Sequence, residues 1–182
     1  MTRIKPLMFL PPLIFAVFGA MFFIGLQREN PDALPSTMTG RVVPEVDLVP
    51  LEGKTPFTSE VLKEPGVKLV NYWASWCAPC RVEHPQILQL AREGVKIYGI
   101  NYKDEPKNAL AFLEELIDPY TAVAADPKGR NAIEWGVYGI PETFVIDGKG
   151  RIVLRFAGPI TQRVLENTIR PAMAKAAAQS GE

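Results

Sequence analysis

The chain has 182 residues, 47% of them hydrophobic, with 20 Lys and Arg against 20 Asp and Glu and a single histidine. That is enough apolar material for one globular domain plus additional segments. Zero formal net charge gives no broad basic field, which argues against nucleic acid as a partner and leaves recognition to local features.

Arg3 and Lys5 open the chain, and a charge-free run rich in Phe, Leu, Ile and Met follows from Pro6 to Gln27. At about 1.5 Å of rise per residue such a run spans a bilayer as a helix, so residues 6–27 are expected to form a transmembrane anchor, with Pro11 and Pro12 near its start. By the positive-inside rule residues 1–5 stay in the cytoplasm and everything after Arg28 lies on the other side. A cleaved signal peptide would have a shorter apolar core, about 7–15 residues, and a small-x-small cleavage site. Phe18 spoils the site ending at Ala20, and Phe23 the one ending at Gly25. Residues 28–41 are polar and carry Pro31, Pro35 and Gly40 without a period, which reads as a tether to a domain over 42–182.

Val42 to Leu51 alternates loosely and contains Pro44 and Pro50, suiting an edge strand or lead-in. Residues 67–73 and 95–100 are short apolar runs that read as buried strands. Between them, Val82, Ile87, Leu88, Leu90 and Ala91 recur at spacings of three and four, predicting a helix from Cys77 to Glu93 stopped by Gly94. This is a βαβ unit with parallel strands. Asp104-Glu105-Pro106 offers an acidic cap and a first-turn proline for a helix to about Ile117, broken by Asp118-Pro119. A strand over 122–125 and a helical turn over 131–135 follow. Residues 143–146 and 151–156 are β-rich and joined by Asp147-Gly148-Lys149-Gly150, a hairpin signal. A helix over 161–178 closes the chain. The expected fold is α/β: a mixed sheet with helices on both faces.

Both cysteines, Cys77 and Cys80, fall at the start of the first of these domain helices. A helix N-terminus favours the thiolate, and thiolate is the attacking species in disulfide exchange. Pro79 suits the first turn, and Trp73 and Trp76 can shield the pair. Cys77 is the expected nucleophile and Cys80 the resolving thiol. A purely structural disulfide is the competing reading for an outward-facing domain, but closing so short a loop removes little chain entropy. His84 lies four residues after Cys80; with both cysteines it would still leave a zinc site one ligand short, so a helix-surface role and no metal are expected.

Trp73-Ala74-Ser75-Trp76-Cys77-Ala78-Pro79-Cys80-Arg81-Val82-Glu83-His84-Pro85, together with Gly136-Val137-Tyr138-Gly139-Ile140-Pro141-Glu142-Thr143-Phe144-Val145-Ile146-Asp147, resembles the DsbE/CcmG group, the membrane-anchored thioredoxin-like proteins of cytochrome c maturation. The resemblance covers roughly residues 42–174 and implies a thioredoxin-like fold without a cofactor. It implies a cis-proline at Pro141 beside the dithiol, leaving neighbouring backbone to pair with an extended substrate segment. It also implies an acidic active site with Glu83 and Glu142 near the dithiol, either accepting the Cys80 proton or raising the thiol pKa values. Trp76, Ile140 and Thr143 are the implied substrate contacts, with Trp135 and Tyr138 either flanking the groove or packing. One departure from ordinary thioredoxins is Asn71, where they commonly place a buried aspartate; asparagine cannot act as a base.

The function implied is reduction of the disulfide of apocytochrome c at its Cys-x-x-Cys-His haem-attachment site, or of a haem-pathway dithiol protein. Electrons would come from a membrane thiol carrier of the DsbD or CcdA type. The implied setting is the bacterial inner membrane, single-pass, with a monomeric catalytic domain in the periplasm. A general extracytoplasmic reductant or oxidant of the same fold is the rival reading, and a docking domain with incidental thiols is a third.

Overall fold

The computed structural model describes residues 10–26 and 38–181. The chain divides into two units, residues 1–35 and 36–182. In the first, α1 (Leu10–Leu26) is a 17-residue apolar helix with Pro11 and Pro12 in its first turn, where a missing N–H costs no hydrogen bond. Among the described residues no helix is long and apolar enough to cross a membrane. The remainder of the expected anchor, the expected cytoplasmic end and residues 28–37 of the expected tether lie outside the described residues.

In the second unit β2 (Lys68–Trp73), buried along its whole length, forms the middle of a six-stranded sheet. It runs parallel to β3 (Lys96–Tyr102), which runs parallel to β4 (Ala122–Asp126), and antiparallel to β5 (Glu142–Ile146). β6 (Ile152–Ala157) closes one edge and β1 (Val49–Pro50) the other, giving the order β1-β4-β3-β2-β5-β6. The two-residue β1 pairs with Ala124 and Ala125 at the edge, where a proline does no harm.

Side chains alternate across a strand, so Leu69, Asn71 and Trp73 share one face of β2, and Val70 and Tyr72 the other. On the first face Trp73, Cys77, Cys80, Phe112 and Leu113 pack together, beside a cluster of Leu69, Ile87, Ile97, Leu165 and Ile169. These bring in α3 (Ala78–Arg92), α4 (Pro106–Leu116) and the C-terminal helix. On the second face Val70, Tyr72, Phe144 and Trp135 meet Leu62 of α2 (Ser59–Leu62) and Ala132 of α5 (Arg130–Glu134). Helices thus cover both faces.

Three local features refine the sequence reading. Met38 is buried against the Tyr72 and Trp135 cluster, Gly40 N–H donates to Ile152 O, and Val43 N–H donates to Gly150 O, so the described residues ahead of Val42 already pack on the domain. A single apolar side chain in a polar stretch carries that difference. The hairpin turn is fixed by Asp147, whose Oδ1 accepts N–H bonds from Lys149 and Arg151, with Gly150 at φ +74°. The closing helix consists of α6 (Gln162–Val164), a π-helical turn over Leu165–Ile169 and α7 (Arg170–Ser180). The wider turn ends two residues before Pro171, whose ring and missing N–H disturb the regular α-helical ladder in the turn preceding it.

Candidate active site

Cys77 is the N-cap of α3, with extended backbone (φ −87°, ψ 102°), and its Sγ accepts the Cys80 N–H at 3.1 Å. Cys77 and Cys80 form a disulfide with Cα atoms 5.3 Å apart. Both are nearly buried, at 4% and 2% exposure. Once the bond is reduced, the Cys80 N–H and the positive end of α3 favour a thiolate on Cys77. Trp73 lies in the core below, stacked on Tyr120 and packed on Phe112, with ring centroids 5.6 and 5.1 Å away. Trp76 is 58% exposed, and its indole Nε1–H donates to Lys103 O at 3.1 Å.

Sequence reasoning missed Asp104. The N-cap of α4 is Glu105, which makes no side-chain cap bond. Asp104, one residue earlier, accepts from Ser75 N–H (2.6 Å), Ser75 Oγ (2.8 Å), Asn101 Nδ2 (3.0 Å) and Glu105 N–H (2.9 Å). This fastens the β3–α4 loop to the residues just before Cys77. An open cleft lined by Ser75, Trp76, Lys103 and Asp104 lies beside the indole.

The Ile140–Pro141 peptide bond is cis, and Pro141 O accepts the Gly158 N–H. Ile140 is half-buried against the clusters on both faces, including the one that holds the two cysteines. Glu142 is fully buried; its carboxylate takes Arg155 Nε (2.6 Å) and Nη2 (3.1 Å) and the backbone N–H groups of Tyr138 (3.0 Å) and Gly139 (3.4 Å). Arg155 also lies over the exposed Tyr138 ring, 4.7 Å from its centroid. Glu142 therefore holds the loop that carries Pro141. The register opposes it to Tyr72 on one face, whereas Thr143 opposes Asn71 on the other. The two glutamates do not form one acidic cluster. Thr143 is fully buried and accepts from Asn71 Nδ2, so it presents no surface to a substrate. Trp135 is core, packed on Tyr72 and Phe144.

Glu83 is only 1% exposed. Its Oε1 accepts from Asn71 Nδ2 at 2.8 Å and its Oε2 from Ile160 N–H at 2.9 Å. Burial pushes its pKa up to about 7, against the lowering effect of the Ile160 N–H and the Asn71 amide. Three residues after Cys80, it lies on the same side of the helix. Asn71 Oδ1 accepts the Tyr120 hydroxyl at 2.7 Å. Burial drives the Tyr120 phenol well up, and the charges of Glu83 and Asp118 add to this.

His84 corrects the expectation of a surface residue. It is buried, with its ring edge toward Phe112 and Nε2 at 3.0 Å from Leu116 O and 2.8 Å from Ile117 O. Both partners are acceptors, so Nε2 carries the proton. The imidazole caps the C-terminal end of α4, whose last carbonyls have no helical donor. Among the described residues no group of His, Cys, Asp and Glu is arranged to hold a metal ion.

Residues 38–170 match the Redoxin family. The chain is 51% identical over 178 residues to the thiol:disulfide interchange protein DsbE homolog of Paracoccus denitrificans, covering 98% of this chain and 99% of that protein. It is 48% identical over 170 residues to the thiol:disulfide interchange protein HelX of Rhodobacter capsulatus, covering 93% and 97%. A crystal structure of a thiol:disulfide interchange protein of the thioredoxin family from Chlorobium tepidum matches with a TM-score of 0.61 at 26% identity, over 77% of this chain and 99% of that one. A Cys-x-x-Cys disulfide at a helix start, on this fold and with these relatives, makes the protein a thiol-disulfide oxidoreductase. The chain belongs to the Redoxin family and, within it, to the DsbE/HelX (CcmG) group of thiol:disulfide interchange proteins.

Proposed function

We propose that this chain is a membrane-anchored periplasmic reductant of cytochrome c maturation. The observation that carries the reading is the Cys77–Cys80 pair with Cys77 capping α3, in a chain related over nearly its full length to DsbE and HelX.

In the dithiol form the Cys77 thiolate attacks one sulfur of the substrate disulfide, and the other substrate sulfur leaves as a thiolate that takes a proton. The mixed disulfide so formed is attacked by Cys80 after it loses its own proton to Glu83, the buried carboxyl one turn along α3. The second substrate sulfur leaves as a thiolate and is protonated, Glu83 giving up the proton it took from Cys80, and the Cys77–Cys80 bridge closes. Two electrons and two protons have passed to the substrate. Trp76 and Ile140 border the dithiol. The N–H and C=O of Ile140 take no backbone hydrogen bond among the described residues, leaving them to pair with an extended substrate segment.

The substrate is the Cys-x-x-Cys-His haem-attachment site of apocytochrome c or a dithiol protein that handles it, because haem attachment needs free thiols. A membrane thiol carrier of the DsbD or CcdA type returns the electrons, and residues 6–27 hold the monomeric domain near it at high effective concentration. The 17 described residues of α1 supply about 26 Å of that span.

A Cys80→Ala variant expressed in cells tests this, since mixed disulfides through Cys77 then persist. Recovery of apocytochrome c or a haem-pathway dithiol protein is the expected result. A broad set of unrelated secreted proteins would replace this reading with that of a general reductant. Loss of c-type cytochromes in a Cys77→Ser strain is the matching genetic outcome, and normal levels would refute it.

A further inference from the structure

Glu83 of α3, Asn71 of β2 and Thr143 of β5 are each at most 1% exposed, and the Tyr120 hydroxyl reaches in from the segment before β4. With Glu83 ionised, Asn71 Nδ2 donates to Glu83 Oε1 (2.8 Å) and to Thr143 Oγ1 (3.1 Å), while Asn71 Oδ1 accepts from Tyr120 (2.7 Å). These are three bonds, each joining a donor to an acceptor. A proton added at Glu83 Oε1 faces the donor Nδ2, and that bond is lost.

Turning the amide over restores the count. Glu83 O–H then donates to Asn71 Oδ1, the Thr143 hydroxyl rotates to donate to the same oxygen, and Nδ2 donates to the Tyr120 oxygen. An amide oxygen accepts two bonds and a hydroxyl either donates or accepts, so the same atoms again make three bonds. The Ile160 N–H stays on Oε2 in both states. An aspartate at position 71 suits only the second arrangement, because beside an ionised Glu83 it sets two carboxylates at contact distance.

We infer that Asn71 is a proton-responsive positioning residue, whose amide turns over as Glu83 gains or loses a proton, with the hydroxyls of Thr143 and Tyr120 completing both states. One proton moves and no bond between heavy atoms changes. The groups facing Glu83 are Asn71, Thr143, Tyr120 through Asn71, the Ile160 N–H and, on its own helix, Cys80; none of these hydrogen-bond partners is a cation. A carboxyl that titrates near neutral pH populates both states under ordinary conditions. The use of the device in catalysis rests on Glu83 being the acceptor for the Cys80 proton. The device itself is tested in the disulfide form, where Cys80 carries no proton, so the two ideas fail separately.

The experiment is NMR on the full 182-residue chain, labelled with 13C and 15N, oxidised, in detergent micelles. It follows the Glu83 carboxyl carbon and the nuclear Overhauser contacts of the Asn71 side-chain NH2 from pH 5 to 9. Above the Glu83 midpoint the NH2 protons are expected near Glu83 and Thr143; below it they are expected near the Tyr120 ring, with both changes sharing one midpoint. In Glu83→Gln the amide is expected to stay in the turned state at every pH, because the glutamine can present its own NH2 to Asn71 Oδ1. An unchanged contact pattern through the titration, or a Glu83→Gln protein that keeps the contacts of the ionised state, overturns the inference.

Discussion

Replacing Glu83 with glutamine should flatten the pH dependence of stability across the neutral range. In the fold this carboxyl is held at about 7, against an ordinary value of 4.5, with burial as the largest cause. Between those two values the folded chain binds more protons than the unfolded chain. The stability that Glu83 contributes is therefore fully present below about 4.5, falls as pH rises, and is gone above about 7. The full gap corresponds to about 3 kcal/mol, and roughly 2 to 3 kcal/mol of it falls between pH 5 and 8. Carboxylates held low by partners act elsewhere: Glu45 by Ser59 and Lys63, Glu93 by Arg170 and Gln89, Glu115 by Arg81. Their contributions are lost only as pH falls below the ordinary carboxylate range, so they cancel from the comparison. The assay is urea unfolding of the oxidised full-length protein and of Glu83→Gln, in matched detergent, at pH 5 and pH 8. The wild type should lose about that much more stability than the variant on going to pH 8. Parallel profiles would refute the claim that a buried, cation-free Glu83 is penalised when ionised.

Arg155→Met should cost about 3–5 kcal/mol in urea unfolding, because it strands the buried Glu142 carboxylate, and adding Glu142→Gln should recover much of that loss. Asp104→Ala removes the acceptor for four donors and should cost about 1–3 kcal/mol. It should also alter Trp76 fluorescence and slow reduction of a protein disulfide; an unchanged rate would mean that the loop does not hold the approach to Cys77. Gly99→Ala in β3 places a Cβ 2.9 Å from the Tyr120 ring and 3.0 Å from Trp73 Nε1. It should destabilise by about 1–3 kcal/mol, measured by thermal or urea unfolding, as overpacking pushes Tyr120 away from Asn71.

The sheet and helices were legible because their signals are local. β2 and β3 are apolar runs, α3 carries three- and four-residue spacing between a helix-start cysteine and Gly94, and an Asp-Gly turn joins β5 to β6. The roles of polar residues on buried faces were not legible, because their partners arrive from distant parts of the chain. Glu83 is recognisable as buried only once Ile160 and Asn71 are seen on it, and His84 only once the end of α4 is seen to need a donor. The side of the sheet occupied by Glu142 could not be read by alternation, since every residue of β5 is buried. Asp104 sits one residue ahead of the true N-cap, and sequence does not separate a cap from a latch to a neighbouring loop. The motif resemblance singled out both glutamates, but not what each meets on burial: Arg155 at Glu142, neutral donors at Glu83.

That difference follows from what each carboxylate meets on burial. Glu142 meets a guanidinium with two N–H groups in line, so its charge is compensated and the arrangement is fixed. Glu83 meets only neutral donors, which lower the cost of its charge without cancelling it, and its proton affinity stays near the middle of the physiological range. A thiol-disulfide oxidoreductase has use for both kinds. On the mechanism proposed above, the loop at Ile140 and Pro141 keeps its shape while a substrate chain pairs beside it, and the compensated Glu142 charge holds that loop. On the same mechanism, Cys80 alternates between thiol, thiolate and disulfide within each turnover, and a carboxyl poised near neutral pH suits uptake and release of its proton. A cation introduced next to Glu83 would hold the carboxyl ionised and remove its response to pH near neutrality. The chain keeps Glu83 among Asn71, Thr143 and a backbone N–H, where the cost of burial is what makes the group responsive.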